Sequence, residues 1–147
     1  MLNQVVGGYK ILELIGEGGM GEVFKGVDQM LNREVAIKVL RPELARKPQI
    51  LERFVQEARV LARLNHPNIA TLYNFLQHDN VYFMVMEFAH GRTLDDVIAE
   101  HPHGLPWRYA LALFMDALHG IDHAHRQGII HRDIKPANLM VSVNQTL

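Results

Sequence analysis

The apolar residues of this 147-residue chain change their spacing near residue 48, and that change constrains the fold more than any other feature. Before it, "YKILELIG", "GEVFKGVD" and "REVAIKVL" are short runs rich in Ile, Val, Leu and Phe, separated by "EGGM" and "QMLN". Such runs with turn residues between them read as strands of an antiparallel meander. After it, in "PQILERFVQEARVLARLN", Ile50, Phe54, Leu61 and Leu64 recur at helical steps, and Pro67 discourages further helix. The spacing predicts a helix of about 16 residues. "IATLYNFLQ" and "VYFMVMEF" then flank "HDN" as another hairpin, and "GRTLDDVIAE" reads as a short helix after Gly91. From Pro106, the residues Trp107, Leu111, Phe114, Leu118, Ile121 and His125 repeat at steps of three and four up to Gly128, which predicts a helix over 106–127. The expected class is α+β. A strand-rich part over 1–88 holds five antiparallel strands and one main helix, and a helical part begins over 89–147.

Two charges interrupt these patterns. Glu57 falls at the centre of the stripe Ile50, Phe54, Leu61, Leu64, so its carboxylate faces the sheet. Either it meets a cation there, because an unpaired buried charge is costly, or it reaches out to water at the helix edge. In "REVAIKVL", alternation puts Val35, Ile37 and Val39 on one face and Ala36, Lys38 and Leu40 on the other. Lys38 thus shares its face with apolar neighbours and is the candidate partner of Glu57.

Charge and composition exclude several functions. Fifteen Lys and Arg against 16 Asp and Glu give a net charge of −1, so no broad basic field exists to hold nucleic acid or an anionic membrane. Any phosphate binding must be local. There is no cysteine, which removes disulfides and thiolate metal sites and suits a reducing, cytoplasmic location. No stretch has the length and apolarity of a membrane span, and the N-terminus "MLNQVVGGYK" does not read as a signal peptide.

Two motifs carry chemistry. "IGEGGMGEV" sets Gly16, Gly18 and Gly21 in GxGxxG spacing between two strand-like runs. Glycines there allow backbone amides to approach phosphate oxygens closely. A plain flexible hairpin turn is one alternative. A dinucleotide site is another, but it needs glycines that open a helix, and here they open the strand "EVFKGVD". The second motif, "HRDIKPAN", places Asp133 two residues before Lys135 and five before Asn138, with Pro136 stiffening the turn. Phosphoryl transfer needs an acceptor for a hydroxyl proton, positive charge beside the moving phosphoryl group, and an oxygen ligand for Mg²⁺. Asp, Lys and Asn offer those three functions in that order.

Taken together, "GEGGMGEV", "VAIK", Glu57 and "HRDIKPAN" resemble, in order and spacing, the front half of a protein kinase catalytic domain, and the wording is most similar to bacterial serine/threonine kinases. The resemblance implies a kinase-like fold: an N-terminal lobe over 1–88, then a hinge and partial C-terminal lobe over 89–147. It implies ATP and Mg²⁺ as cofactors and protein Ser/Thr hydroxyls as acceptors. The loop Gly16, Glu17, Gly18, Gly19, Met20, Gly21, Glu22 would cover the phosphates, while Ile15, Val23 and Ala36 would touch adenine. Lys38, held by Glu57, would hold the α- and β-phosphates. Met86 would guard the back of the adenine pocket, and Glu87 and Ala89 would offer it backbone hydrogen bonds. Asp133 would accept the substrate proton, Lys135 would stabilise the γ-phosphate, and Asn138 would bind Mg²⁺. Arg132 resembles the arginine that reads a phosphate on the activation loop.

The family continues past this point with Asp-Phe-Gly, an activation loop and further helices, none of which lies within these 147 residues. That aspartate is the family's principal Mg²⁺ ligand, so residues 1–147 alone are expected to be inactive. The apolar stripe over 106–127, suited to burial in a helical lobe, is expected to be exposed and to favour self-association. Two other readings stay open: a non-catalytic nucleotide-binding or interaction module, such as a truncated pseudokinase, and a small-molecule phosphotransferase.

Overall fold

Two glycines in left-handed backbone start the sheet one strand earlier than the apolar runs suggest. In the computed structural model, which describes residues 1–142, Gly7 (φ 56°) and Gly8 (φ 87°) turn the chain between β1 (Val5–Val6) and β2 (Tyr9–Glu17). A two-residue turn with positive φ at both positions matches the twist of the strands that it joins. Val6 then pairs with Tyr9. The strand-rich part therefore holds six strands and not five, because a two-residue strand is too short to show a period.

β3 (Gly21–Asp28), β4 (Arg33–Leu40), β5 (Leu72–His78) and β6 (Val81–Glu87) complete an antiparallel sheet of order β1-β2-β3-β4-β6-β5. The turn between β5 and β6 is again primed, with Asp79 at φ 47° and Asn80 at φ 62°. These residue types tolerate that conformation, which is why "HDN" reads as a hairpin signal.

Both faces of β4 are covered, as its alternation requires. Val35, Ile37 and Val39 join Tyr9, Ile11, Phe24, Phe83 and Val85 in one buried cluster. Leu40 and Met84 point the other way and pack with Phe54 and Ala58 of helix α2 (Pro48–Leu61), which follows the short α1 (Pro42–Ala45). Phe54 is fully buried. Burying a phenylalanine contributes about 1.5–3 kcal/mol, so this one side chain is a main tie between α2 and the sheet. α2 has 14 residues and ends before Leu64, which groups with the other part of the chain.

Two compact units result. The first contains Met1–Arg63 and Ala70–Phe88; the second contains Leu64–Ile69 and Ala89–Leu147. Within the second, the His66 and His123 rings lie 5.1 Å apart, which brings the segment after α2 against helix α4 (Trp107–Arg126). Gly91–Thr93 is not helical: it forms β7, which pairs with β8 (Met140–Ser142). Helix α3 (Leu94–Ala99) starts one residue later, where Thr93 and Asp96 form a capping box. Along α4, Trp107 is 69% and Phe114 60% exposed, and Leu111, Met115 and Leu118 are exposed with them. His125, on the same stripe, is also exposed. No helix among the described residues is long and apolar enough to cross a membrane.

Candidate functional site

The glycine motif closes as a strand hairpin. Gly18 N–H donates to the Gly21 carbonyl at 2.9 Å, and Gly21 N–H returns a bond at 3.4 Å, while Gly16 pairs with Val23 and Glu17 with Glu22. No helix follows, so the dinucleotide geometry is absent. Glu17, Gly18 and Gly19 are exposed, and nothing lies within 4 Å of where a side chain on Gly18 or Gly19 would start. Their backbone is open to an approaching phosphate.

Gly21 is glycine for another reason: a Cβ there would sit 2.0 Å from the Val39 carbonyl oxygen of the neighbouring strand. G21A must push β3 off β4. We expect a loss of about 1–3 kcal/mol, seen as a lower thermal midpoint of the full-length protein. An unchanged midpoint would show that the strands yield freely there.

Cross-strand register gathers the other residues of this half. Val23 lies opposite Lys38, Lys25 opposite Ala36, Ala36 opposite Met86, and Lys38 opposite Met84. Directly paired residues project to the same side of a sheet, so Val23, Ala36, Lys38 and Met86 share one face. Ile15 lies at a register irregularity in β2 and is 47% exposed. Lys38 Nζ donates to both carboxylate oxygens of Glu57, at 2.9 and 3.0 Å. The Lys38 side chain keeps 22% of its exposure and that of Glu57 36%. An ammonium has three N–H donors and two are used here, which leaves one for a further anion. Glu57 thus takes the cation in preference to open water.

At the end of β6, Glu87 holds Thr71 at two points. Glu87 N–H donates to the Thr71 carbonyl at 2.8 Å, and Thr71 N–H donates to Glu87 Oε2 at 3.0 Å. The Phe88 ring lies 4.8 Å from Lys25 Nζ, which also pairs with Glu34 at 2.5 Å. Neither the Glu87 carboxylate nor Lys25 stood out in the sequence. The position of Lys25 between Val23 and Val27 on one strand face was the available signal. Ala89 belongs to the second unit.

The second unit holds the other motif. Asn138 Nδ2 donates to the Asp133 carbonyl at 2.8 Å and to Asp133 Oδ2 at 3.2 Å, and Lys135 Nζ lies 3.6 Å from Asp133 Oδ2. Both bonds from Asn138 need its amide nitrogen on the Asp133 side, which turns its carbonyl oxygen away and leaves it able to ligate a cation. Pro136–Asn138 forms a single 3₁₀ turn, closed by Asn138 N–H to the Lys135 carbonyl at 2.9 Å. Leu94 N–H donates to the Leu139 carbonyl at 2.8 Å, which ties the motif to α3. Arg132 sits at φ 68°, a region that side-chain-bearing residues seldom adopt, and His131 Nδ1 accepts the Asp133 N–H at 3.2 Å. That turn leaves the Asp133 side chain 66% exposed. A carboxylate and an ammonium thus meet within one short loop, beside an amide whose oxygen faces outward.

The sequence profile described as "Protein kinase domain" matches residues 9–147. The chain is 37% identical over 143 residues to "Probable serine/threonine-protein kinase CPE1738" of Clostridium perfringens, covering 97% of this chain and 21% of that protein. It is 40% identical over 138 residues to "Serine/threonine-protein kinase PrkC" of Bacillus subtilis, covering 94% and 21%. The chain thus spans about one fifth of the length of these curated relatives. A solved structure titled "PpkA-294 apo form" superposes with a TM-score of 0.89 at 28% identity, covering 99% of this chain and 58% of that one.

Proposed function

This chain belongs to the protein kinase domain family, and on that premise we propose that it is part of an ATP-dependent serine/threonine protein kinase. The observation that carries the reading is the convergence of Asp133, Lys135 and Asn138 in one exposed loop. In the proposed reaction a Ser or Thr hydroxyl oxygen bonds to the γ-phosphorus of ATP. The bond from that phosphorus to the β-γ bridging oxygen breaks, and ADP leaves. Asp133 orients the hydroxyl and takes its proton. Lys135 places positive charge beside the transferred group. Lys38, steadied by Glu57, holds the α- and β-phosphates under the hairpin Gly16–Gly21, and Ile15, Val23, Ala36 and Met86 enclose the adenine. Glu87 and Ala89 offer the adenine their backbone groups.

The outward-turned carbonyl oxygen of Asn138 fits a hard cation, so this residue would hold a Mg²⁺ ion. When bound, Mg²⁺ neutralises charge on the phosphate oxygens. Because the reaction draws on intracellular ATP, we place the catalytic unit in the cytoplasm.

The test uses the full-length protein with ATP labelled at the γ-phosphate and a general protein acceptor. Label recovered as phosphoserine or phosphothreonine is the expected result. ATP bound without transfer would overturn it in favour of a binding module. Label found only on a small molecule would overturn it in favour of a small-molecule phosphotransferase.

A further inference from the structure

The end of β6 is held from two sides by groups that the proposed reaction does not use. On one side, the Glu87 carboxylate accepts the backbone N–H of Thr71 at 3.0 Å, in addition to the backbone bond of 2.8 Å between the same residues. Thr71 therefore has both of its backbone polar groups satisfied by one residue. On the other side, the Lys25 ammonium lies 4.8 Å from the centre of the Phe88 ring, within the range of a cation–π attraction. Lys25 is itself anchored: it pairs with Glu34 at 2.5 Å, and Glu13 lies opposite it in the β2–β3 ladder. The hydrogen bond to Glu34 pushes its pKa up from the ordinary lysine value. Lys25 on β3 is paired with Ala36 of β4, the residue read above as an adenine contact.

We infer that Glu87 and Lys25 are positioning residues that brace the backbone of Glu87–Phe88 for reading the adenine ring. The inference rests on the kinase reading, in which the backbone of Glu87, and of Ala89 just past Phe88, meets the base. Neither side chain need touch the nucleotide. Their work is done beforehand: a backbone already held in one conformation loses less freedom when the ligand binds. A hydrogen bond or a cation–π contact of this kind is worth enough to change affinity about 3- to 10-fold.

The experiment compares the full-length wild type with E87A, E87Q, K25M and E87A/K25M by calorimetry, using ATP and inorganic tripolyphosphate as ligands. Expected are about 3- to 10-fold weaker ATP binding in E87A and in K25M, and a larger loss in the double variant. Tripolyphosphate affinity should not change, because that ligand has no base. E87Q should restore ATP binding, since its amide oxygen still accepts from Thr71. A general structural defect would weaken both ligands together and would overturn the brace. Wild-type ATP affinity in both single variants would overturn it as well. A wild type that binds no ATP would overturn the kinase reading and the brace together, whereas a wild type that binds ATP beside unaltered variants overturns the brace alone.

Discussion

D133N is expected to lower phosphate transfer by the full-length protein by about 10³-fold, while ATP affinity and thermal midpoint stay close to wild type. The size follows from the role proposed for Asp133. A positioned base contributes roughly 10²- to 10⁴-fold, and each tenfold corresponds to about 1.4 kcal/mol of barrier. The selectivity of the effect follows from the geometry. Asn138 holds the loop through the Asp133 backbone carbonyl at 2.8 Å, which the substitution leaves in place. The longer side-chain bond at 3.2 Å can be kept by an amide oxygen. The side chain is 66% exposed, so no buried charge is removed and little stability is at stake. A neutral amide cannot take the hydroxyl proton, and that is the step lost. Steady-state transfer rates and a thermal melt on the same preparations check it. Transfer within about threefold of wild type would remove Asp133 from the proton-accepting role.

K38M is the second large effect: transfer is expected to fall by at least about 10²-fold, with weaker ATP binding. Methionine nearly matches the length of lysine and suits the apolar company of Ala36 and Leu40 on that face, so the sheet should accept it. What disappears is the donor that holds both oxygens of Glu57 at 2.9 and 3.0 Å and has one N–H left for phosphate. Glu57 then loses its partner. Its side chain keeps 36% exposure, so water replaces part of the lost interaction and the stability cost is limited. E57Q separates the two roles. It retains an acceptor for Lys38 and should lose less activity than K38M, because in this account Glu57 acts on phosphate only through Lys38. K38R should not rescue, because a planar guanidinium is not a compact point charge. Equal losses in E57Q and K38M would contradict the assigned order of action.

The Lys38–Glu57 pair was legible in the sequence because it follows from two local periods. Strand alternation puts Lys38 on one face of β4, and the helical step puts Glu57 on the inner face of α2. Once α2 packs on that face through Phe54, the two charges must meet. The clustering of Asp133, Lys135 and Asn138 in "HRDIKPAN" was legible for a similar reason: the three lie within six residues, and Pro136 restricts how the segment turns. Other features had no local signal. Val5–Val6 is a strand only because Gly7 and Gly8 fold it onto Tyr9. Arg92 and Thr93, read as the start of a helix after Gly91, became part of a strand because Met140–Ser142, far along the chain, pairs with Gly91–Thr93.

By itself, then, the sequence determined the class of fold, the type of most main elements and which chemical groups stand together in the two motifs. Those depend on side-chain chemistry and on periods of two and 3.6 residues, which are properties of short segments. Only the tertiary structure decided that Leu64–Ile69 group with the second unit, that Arg132 takes a left-handed backbone, and that Glu87 and Lys25 brace the end of β6. Each of these arises from contacts between residues distant in sequence or from a strained torsion. Such contacts form when packing and hydrogen-bond satisfaction over the whole unit outweigh the preferences of any one segment.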